Sequence, residues 1–314
     1  MLRFFRLCAI ADYLIRPMII CQTQFRPNLK RADLNGNSVQ TSATVAELIN
    51  ERIDAMPAGE RSAAQTLIAN YPMLGLKTVA EFSAQAGVSS PTILRFVNRL
   101  GFQNYPDFQA RLQDELAAQL QSPHHRNERP DKEQDKAYPA VEHTLENIRE
   151  SFRHLGEKQL KQAVAALCNS KGNVYLIGGR FTDPIAQYMA AHMTIIRPNV
   201  FHLGGQESVW RDRLLDMGKR DVLVVFDIRR YQDSLLRLAE KARGRGVEVI
   251  LVTDQWLSPV ARVSRHVLAG RIAVPSAWDS SAALFVLAET IIREMTRVLE
   301  KDSAARIAEL EALR

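Results

Sequence analysis

The chain has 314 residues, enough for two ordinary domains, and its 46% hydrophobic content lets each bury a core. A formal net charge of +6 and a pI near 9.3 permit an anionic partner without demanding one. Cys8, Cys21 and Cys168 have neither metal-ligand nor redox spacing, and the histidines, including His124-His125, form no zinc-type set. No metal, cofactor or disulfide framework is therefore expected, and a reducing cytoplasm fits.

Charge is unevenly spread: +4 over residues 1–43, −2 over 44–122 and +4 over 123–314. Met1–Cys21 mixes Phe, Leu and Ile with Arg3, Arg6, Asp12 and Arg16. Those charges break the apolar run that a secretory signal or a bilayer span needs, so no membrane partner is expected. The stretch to residue 42 is polar and aperiodic. Residues 1–43 are read as a poorly ordered extension, with a basic DNA-contacting arm as the alternative.

From Thr44 the pattern becomes helical. Val45, Leu48, Ile49, Ile53 and Met56 share a face until Pro57 and Gly59, and Glu60–Asn70 repeats the theme before Tyr71-Pro72. Thr78, with Glu81 three residues on, is a capping box that starts a third helix. Val79, Phe82 and Ala86 face inward, small Ala80 allows a close neighbour, and Gly87 supplies the positive φ of a sharp turn. Ser90 as N-cap and Pro91 at the first helical position open a fourth helix, with Ile93, Val97 and Leu100 on its buried face.

Two short helices joined by a tight glycine turn predict a helix-turn-helix whose second helix enters the major groove N-terminus first. The expected DNA contacts are Lys77, Thr78, Ser89, Ser90, Thr92, Arg95 and Arg99. Hydroxyls and helix-end N–H groups suit phosphate, and Arg95 suits guanine O6/N7. Although residues 44–122 are net acidic, no Asp or Glu lies between Phe82 and Pro106. So few cations predict weak binding by one copy and a need for a dimer. The aromatic run Phe102, Tyr105 and Phe108 is read as core. The alternative for residues 44–122 is a helical bundle that binds protein.

Residues 123–139 are charged, proline-bearing and almost free of aliphatics, which predicts an exposed linker. Residues 140–314 alternate strands and helices. Helices are expected at Val141–Leu155 and Glu157–Ser170, and strands at Asn173–Ile177, Asn199–Leu203, Asp221–Phe226, Val247–Val252 and His266–Leu268. Helical stretches lie between them at Pro184–Ile196, Ser208–Met217, Ser234–Arg243 and Pro259–Val263, and Trp278–Leu299 and Ala304–Leu313 close the chain. That alternation implies a parallel sheet covered on both faces. The fold expected is thus multidomain: an all-α helix-turn-helix bundle followed by an α/β parallel-sheet sandwich. Ligands of such sheets bind beyond the strands' carboxyl ends, which selects the loops Gly178–Pro184, Asp227–Gln232 and Thr253–Ser258. The Gly178-Gly179 pair lacks dinucleotide or P-loop spacing, so neither NAD nor ATP is expected.

The segments Thr78–Phe108, Val174–Ala190, Asp221–Asp227 and Ala239–Leu268 resemble the RpiR family, which joins a helix-turn-helix domain to a SIS (sugar isomerase) domain. The resemblance covers residues 44–300. It implies dimeric or tetrameric repressors or activators of sugar-catabolism genes and phosphosugar effectors; the two-fold symmetry of such a dimer in turn predicts an inverted-repeat operator in double-stranded DNA. SIS domains carry G-x-G-x-S after the first strand; here Gly178 holds the first position, Arg180 replaces the second glycine and Thr182 the serine. The later S-x-S-G-x-T segment is Asp227–Gln232. These changes are expected to remove the phosphate-cradling hydroxyls.

The effector residues expected are Gly178, Gly179, Arg180, Thr182, Asp227, Arg229, Arg230, Gln232 and Thr253. In one reading the arginines bind a different small anionic metabolite. In the other, Arg180, Asp227, Arg229 and Arg230 satisfy one another and the domain is a dimerisation scaffold. A sugar-phosphate isomerase-like enzyme, with Asp227 or Glu207 as base, is the main alternative function, and a SIS interaction protein that binds no DNA is another. No nucleophile–base pair supports catalysis, so a regulator that is not an enzyme is expected.

Overall fold

The computed structural model describes residues 43–121 and 139–313. The expected extension and linker, apart from residues 43 and 139, lie outside the described residues.

The head contains α1 (Val45–Arg52), α2 (Ala58–Ala69), α3 (Val79–Ala86), α4 (Ser90–Arg99) and α5 (Tyr105–Leu120). Reciprocal capping boxes start two of them. Thr44 and Glu47 cap α1, and Thr78 and Glu81 cap α3. Gly87 ends α3 at φ 66°, left-handed as its position in the turn predicts. Three local expectations are corrected. The N-cap of α4 is Ser89, which puts Pro91 at the second helical position. Gly59 lies in the first turn of α2 rather than between helices, where a Cβ would stand 3.2 Å from Thr92 Cγ2. Ala80 is exposed; Ser83, buried, is the small residue facing α4.

Phe82, Ile93, Phe96, Phe108 and Leu112 are fully buried in the head core, with Phe82 and Phe96 edge-to-face at 6.2 Å. Burying side chains of this size contributes roughly 1.5–3 kcal/mol each. Phe102, Tyr105 and Phe108 pack on one another as core, as expected.

The second part runs α6 (Pro139–His154), α7 (Glu157–Asn169), β1 (Val174–Gly178), α8 (Asp183–Ile196), β2 (Val200–His202), α9 (Glu207–Leu214), β3 (Val222–Asp227), α10 (Asp233–Gly244), β4 (Glu248–Asp254), a 3-10 turn (Pro259–Val263), β5 (His266–Gly270), α11 (Ala282–Val298) and α12 (Glu300–Ala312). The sheet is parallel throughout in the order β2-β1-β3-β4-β5, with Val174 opposite Val222 and Val222 opposite Glu248. Alternate residues serve the two faces. Leu176, Val224, Phe226, Ile250 and Val252 meet α7, α8 and α11, while Ile177, Leu223, Val225, Val249 and Leu251 meet α9 and α10. Trp278, expected to begin the closing helix, stands before it and is exposed.

Candidate nucleic-acid interface and ligand crevice

The periodicity of α4 separates two faces. Ile93, Phe96, Val97 and Leu100 are buried, and Pro91, Leu94, Arg95, Asn98 and Arg99 are exposed. At its N-terminal end Ser89 Oγ lies 3.0 Å from Thr92 Oγ1, which accepts from Arg95 Nη2 at 3.1 Å. Ser89, Thr92 and Arg95 therefore form one polar strip along the outer face. Ser90 turns the other way, half-buried, with its Oγ 3.3 Å from Ser83 Oγ.

The remaining expected contacts are also engaged within the head. Thr78 Oγ1 accepts from the Glu81 N–H at 3.2 Å, and Glu81 Oε2 accepts from the Thr78 N–H at 3.0 Å. The Thr78 hydroxyl, which donates to Glu81 Oε2 at 2.7 Å, and the Thr78 N–H together hold the Glu81 carboxyl below its ordinary range. Lys77 is exposed, and its carbonyl accepts from Tyr105 Oη at 2.8 Å. Arg99 is ion-paired through Nε to Glu60 on α2, which raises its pKa further. Asn98, which the sequence reading passed over, shares the exposed face with Arg95; an asparagine side chain matches the N6/N7 edge of adenine.

The sheet order produces a second site. β1 and β3 are neighbours, yet the chain leaves β1 towards β2 and leaves β3 towards β4. A crevice opens at such a reversal, beyond the carboxyl ends of the strands. Gly178 is required there, because a Cβ would stand 2.3 Å from the Asp183 nitrogen. Gly179 N–H donates to Phe226 O and to Thr182 Oγ1, both at 2.9 Å. Thr182 keeps a hydroxyl where its loss was expected, but the group is buried and donates to Phe226 O at 2.6 Å. Gln232 spans the mouth, its Oε1 accepting from Arg180 N–H at 2.9 Å.

Asp227 is buried and accepts from Ser258 Oγ at 2.5 Å and from Gln232 N–H at 3.3 Å. Burial pushes its pKa up to about 7. Thr253, fully buried, accepts from the Ser258 N–H at 3.1 Å. The Arg229 guanidinium carbon lies over Trp256, 4.2 Å from the ring centroid, and the group pairs with Asp279 at 3.0 Å. The mutual network expected of Arg180, Asp227, Arg229 and Arg230 therefore does not form. Asp227 turns to hydroxyl and amide donors, and Arg229 turns to a carboxylate 50 residues on. Arg180 and Arg230 are both exposed at the mouth, Arg180 against the Phe181 ring and Arg230 at φ 68°.

Tyr231, Asp254, Trp256, Ser258 and Phe181 lie in the loops that the strand ends select but are not among the expected effector residues, and Trp278 and Asp279 lie outside those loops. Asp254 accepts from Arg229 N–H at 2.5 Å, from Tyr231 Oη at 2.9 Å and from Trp256 N–H at 2.9 Å, and burial raises it to about 6. Phe181 and Trp278 are exposed and edge-to-face at 6.0 Å on the rim.

Comparison with known proteins matches both parts. Residues 43–119 fit the model of the helix-turn-helix domain of the rpiR family, and residues 166–292 fit that of the SIS domain. The chain is 26% identical over 225 residues to the bifunctional protein glk of Burkholderia thailandensis, covering 70% of this chain but 34% of that protein, so it spans about a third of such relatives. It is 23% identical over 220 residues to the HTH-type transcriptional regulator HexR of Pseudomonas aeruginosa, covering 69% of this chain and 75% of that one. The sugar isomerase domain of an RpiR transcription factor from Sphaerobacter thermophilus superposes with a TM-score of 0.52 at 19% identity, over 55% of this chain and 96% of that domain. With the matching head, the matching sheet domain and their order along the chain in place, this protein belongs to the rpiR family of helix-turn-helix proteins that carry a SIS domain.

Proposed function

We propose that the protein is a transcription regulator of metabolic genes that reads duplex DNA with α4 and acts as a homodimer or a larger even assembly. The observation that carries this is the outer face of α4, where Ser89, Thr92, Arg95 and Asn98 point away from a fully formed core. The head offers few cations, so two copies on an inverted repeat, their recognition helices about 34 Å apart, are needed for useful affinity. No described helix is long and apolar enough to cross a membrane, and the cytoplasm is the compartment that fits a DNA reader.

The SIS domain serves as sensor and dimerisation body rather than as an enzyme. Asp227 is buried and held by Ser258 and Gln232, and Glu207 is paired with Arg237 at 3.6 Å, so both candidate bases are engaged by protein partners. Arg180 and Arg230 at the mouth favour a small anionic effector.

A gel shift against the DNA upstream of the chain's own gene tests the reading. Arg95→Ala should weaken sequence-specific binding by about 10- to 100-fold, the worth of one bidentate base contact. Equal affinity of parent and Arg95→Ala for every sequence would overturn the placement of α4.

A further inference from the structure

The head rests on the carboxyl-end edge of the sheet, the same edge that holds the crevice. Three successive strand ends receive it. Beyond β3, Arg229 Nη1 donates to the Ala118 carbonyl in the last turn of α5 at 3.2 Å. Beyond β4, the 3-10 turn Pro259–Val263 packs on α2. Beyond β5, Arg271 clasps Glu47 of α1 through Nε at 2.7 Å and Nη2 at 2.8 Å. The Arg271–Glu47 pair is buried on both sides and lies beside Glu150 and His154 of α6. Apolar groups fill the spaces between, Ala46, Ile68 and Tyr71 packing into the cluster built on β1, β3 and β4.

A buried ion pair adds little net stability against an apolar replacement, but it admits few alternative geometries. These straps thus fix the angle of the head more than they raise its stability. Arg229 does double duty: the same guanidinium that lies on Trp256 and pairs with Asp279 in the crevice wall also closes the C-terminal turn of α5, where a cation complements the helix dipole.

We infer that Arg229 and Arg271 are positioning residues that set the orientation of the DNA-reading head on the sensor, and that Arg229 is the point at which an anion in the crevice acts on the head. The inference rests on the regulator reading. An anion that draws Arg229 away from Asp279 takes a donor from Ala118 and loosens α5. In a dimer, head orientation is half-site spacing. Binding to one half-site is left intact by this loosening, and the preference for one spacing between two half-sites is lost.

The test uses the full chain, an operator selected by the parent from random duplexes, and versions of it with about five base pairs inserted at the centre, which rotate one half-site by half a helical turn. The parent should lose about tenfold or more in affinity on that insertion. Arg229→Lys and Arg271→Lys, which keep the charge but not the planar fork, should lose about threefold or less while binding a single half-site as the parent does. Hydrogen exchange should quicken in the last turn of α5 in Arg229→Lys, and Asp279→Asn provides a second route to the same release should a lysine variant fail to fold. Variants that keep the parent's spacing preference overturn the inference alone, as does a parent indifferent to spacing. A parent that selects no operator at all sinks the regulator reading and takes this inference with it.

Discussion

Asp227 shows how a single side chain both identifies and conceals a site. Its position after a strand marks it from sequence as a crevice residue, yet its role depends on Ser258, 31 residues on, and on an amide N–H that only the folded loop provides. Burial raises it to about 7, and Glu115 and Asp254 are likewise raised, to about 7 and about 6. A carboxyl raised in the folded state favours folding while it is protonated. Its contribution is full below the unfolded value near pH 4, fades as pH climbs to about 7, and is flat beyond. Asp227→Asn removes one such loss. Denaturant titrations should therefore show the variant gaining on the parent between pH 4.5 and pH 7.5, by on the order of 1–3 kcal/mol. A difference that does not change with pH would mean that Asp227 is ionised at little cost. Arg99 makes the converse point. Its spacing along α4 fits a groove contact, but the carboxylate that holds it lies 39 residues back, on a helix that the pattern does not place beside it.

At the level of the elements, local chemistry was largely readable. The reciprocal Thr78–Glu81 bonds, the left-handed Gly87 and the five strands fall where capping rules, turn rules and apolar runs put them. Local misses came from choices that neighbours decide. Of two adjacent serines, Ser89 takes the N-cap position without a side-chain cap bond, while Ser90 sits half-buried against Ser83. Ala80 and Ser83 both offer a small side chain, and the packing of α3 on α4 selects Ser83. Gly87 allows a clean measurement. A Cβ there meets nothing within 4 Å, so Gly87→Ala introduces backbone strain without a clash. It should lower stability by about 1–2 kcal/mol, read from a shift in denaturation midpoint at constant slope, with the head still folded. A neutral outcome would mean that the turn relaxes freely and does not fix the angle between α3 and α4.

The whole molecule was the least legible level. Residues 224 positions apart, Arg271 and Glu47, meet in a buried bidentate pair; Glu47 stands in the Thr44 capping box, but nothing in that motif points to Arg271 as a second partner. Nothing in the hydropathy of α2 separates its inward face towards the head core from the side on which Ile68, with Tyr71 in the turn after the helix, also meets the sheet domain. The sequence reading accordingly divides the chain into a head and a sensor joined by a linker, whereas the described residues pack as one compact unit. Scanning calorimetry of the full chain should give one cooperative transition, since both parts lose shared core when either opens. Two resolved transitions would show that the contact is marginal. The common core also bears on transplantation. Ala46, Ile68 and Tyr71 leave with the head if it is cut out and joined to a foreign sensor, and there they face water or mismatched partners. A chimera in this family inherits its promoter choice only if the receiving scaffold also brings a matching seat: the three strand-end loops, with an arginine where Arg271 stands.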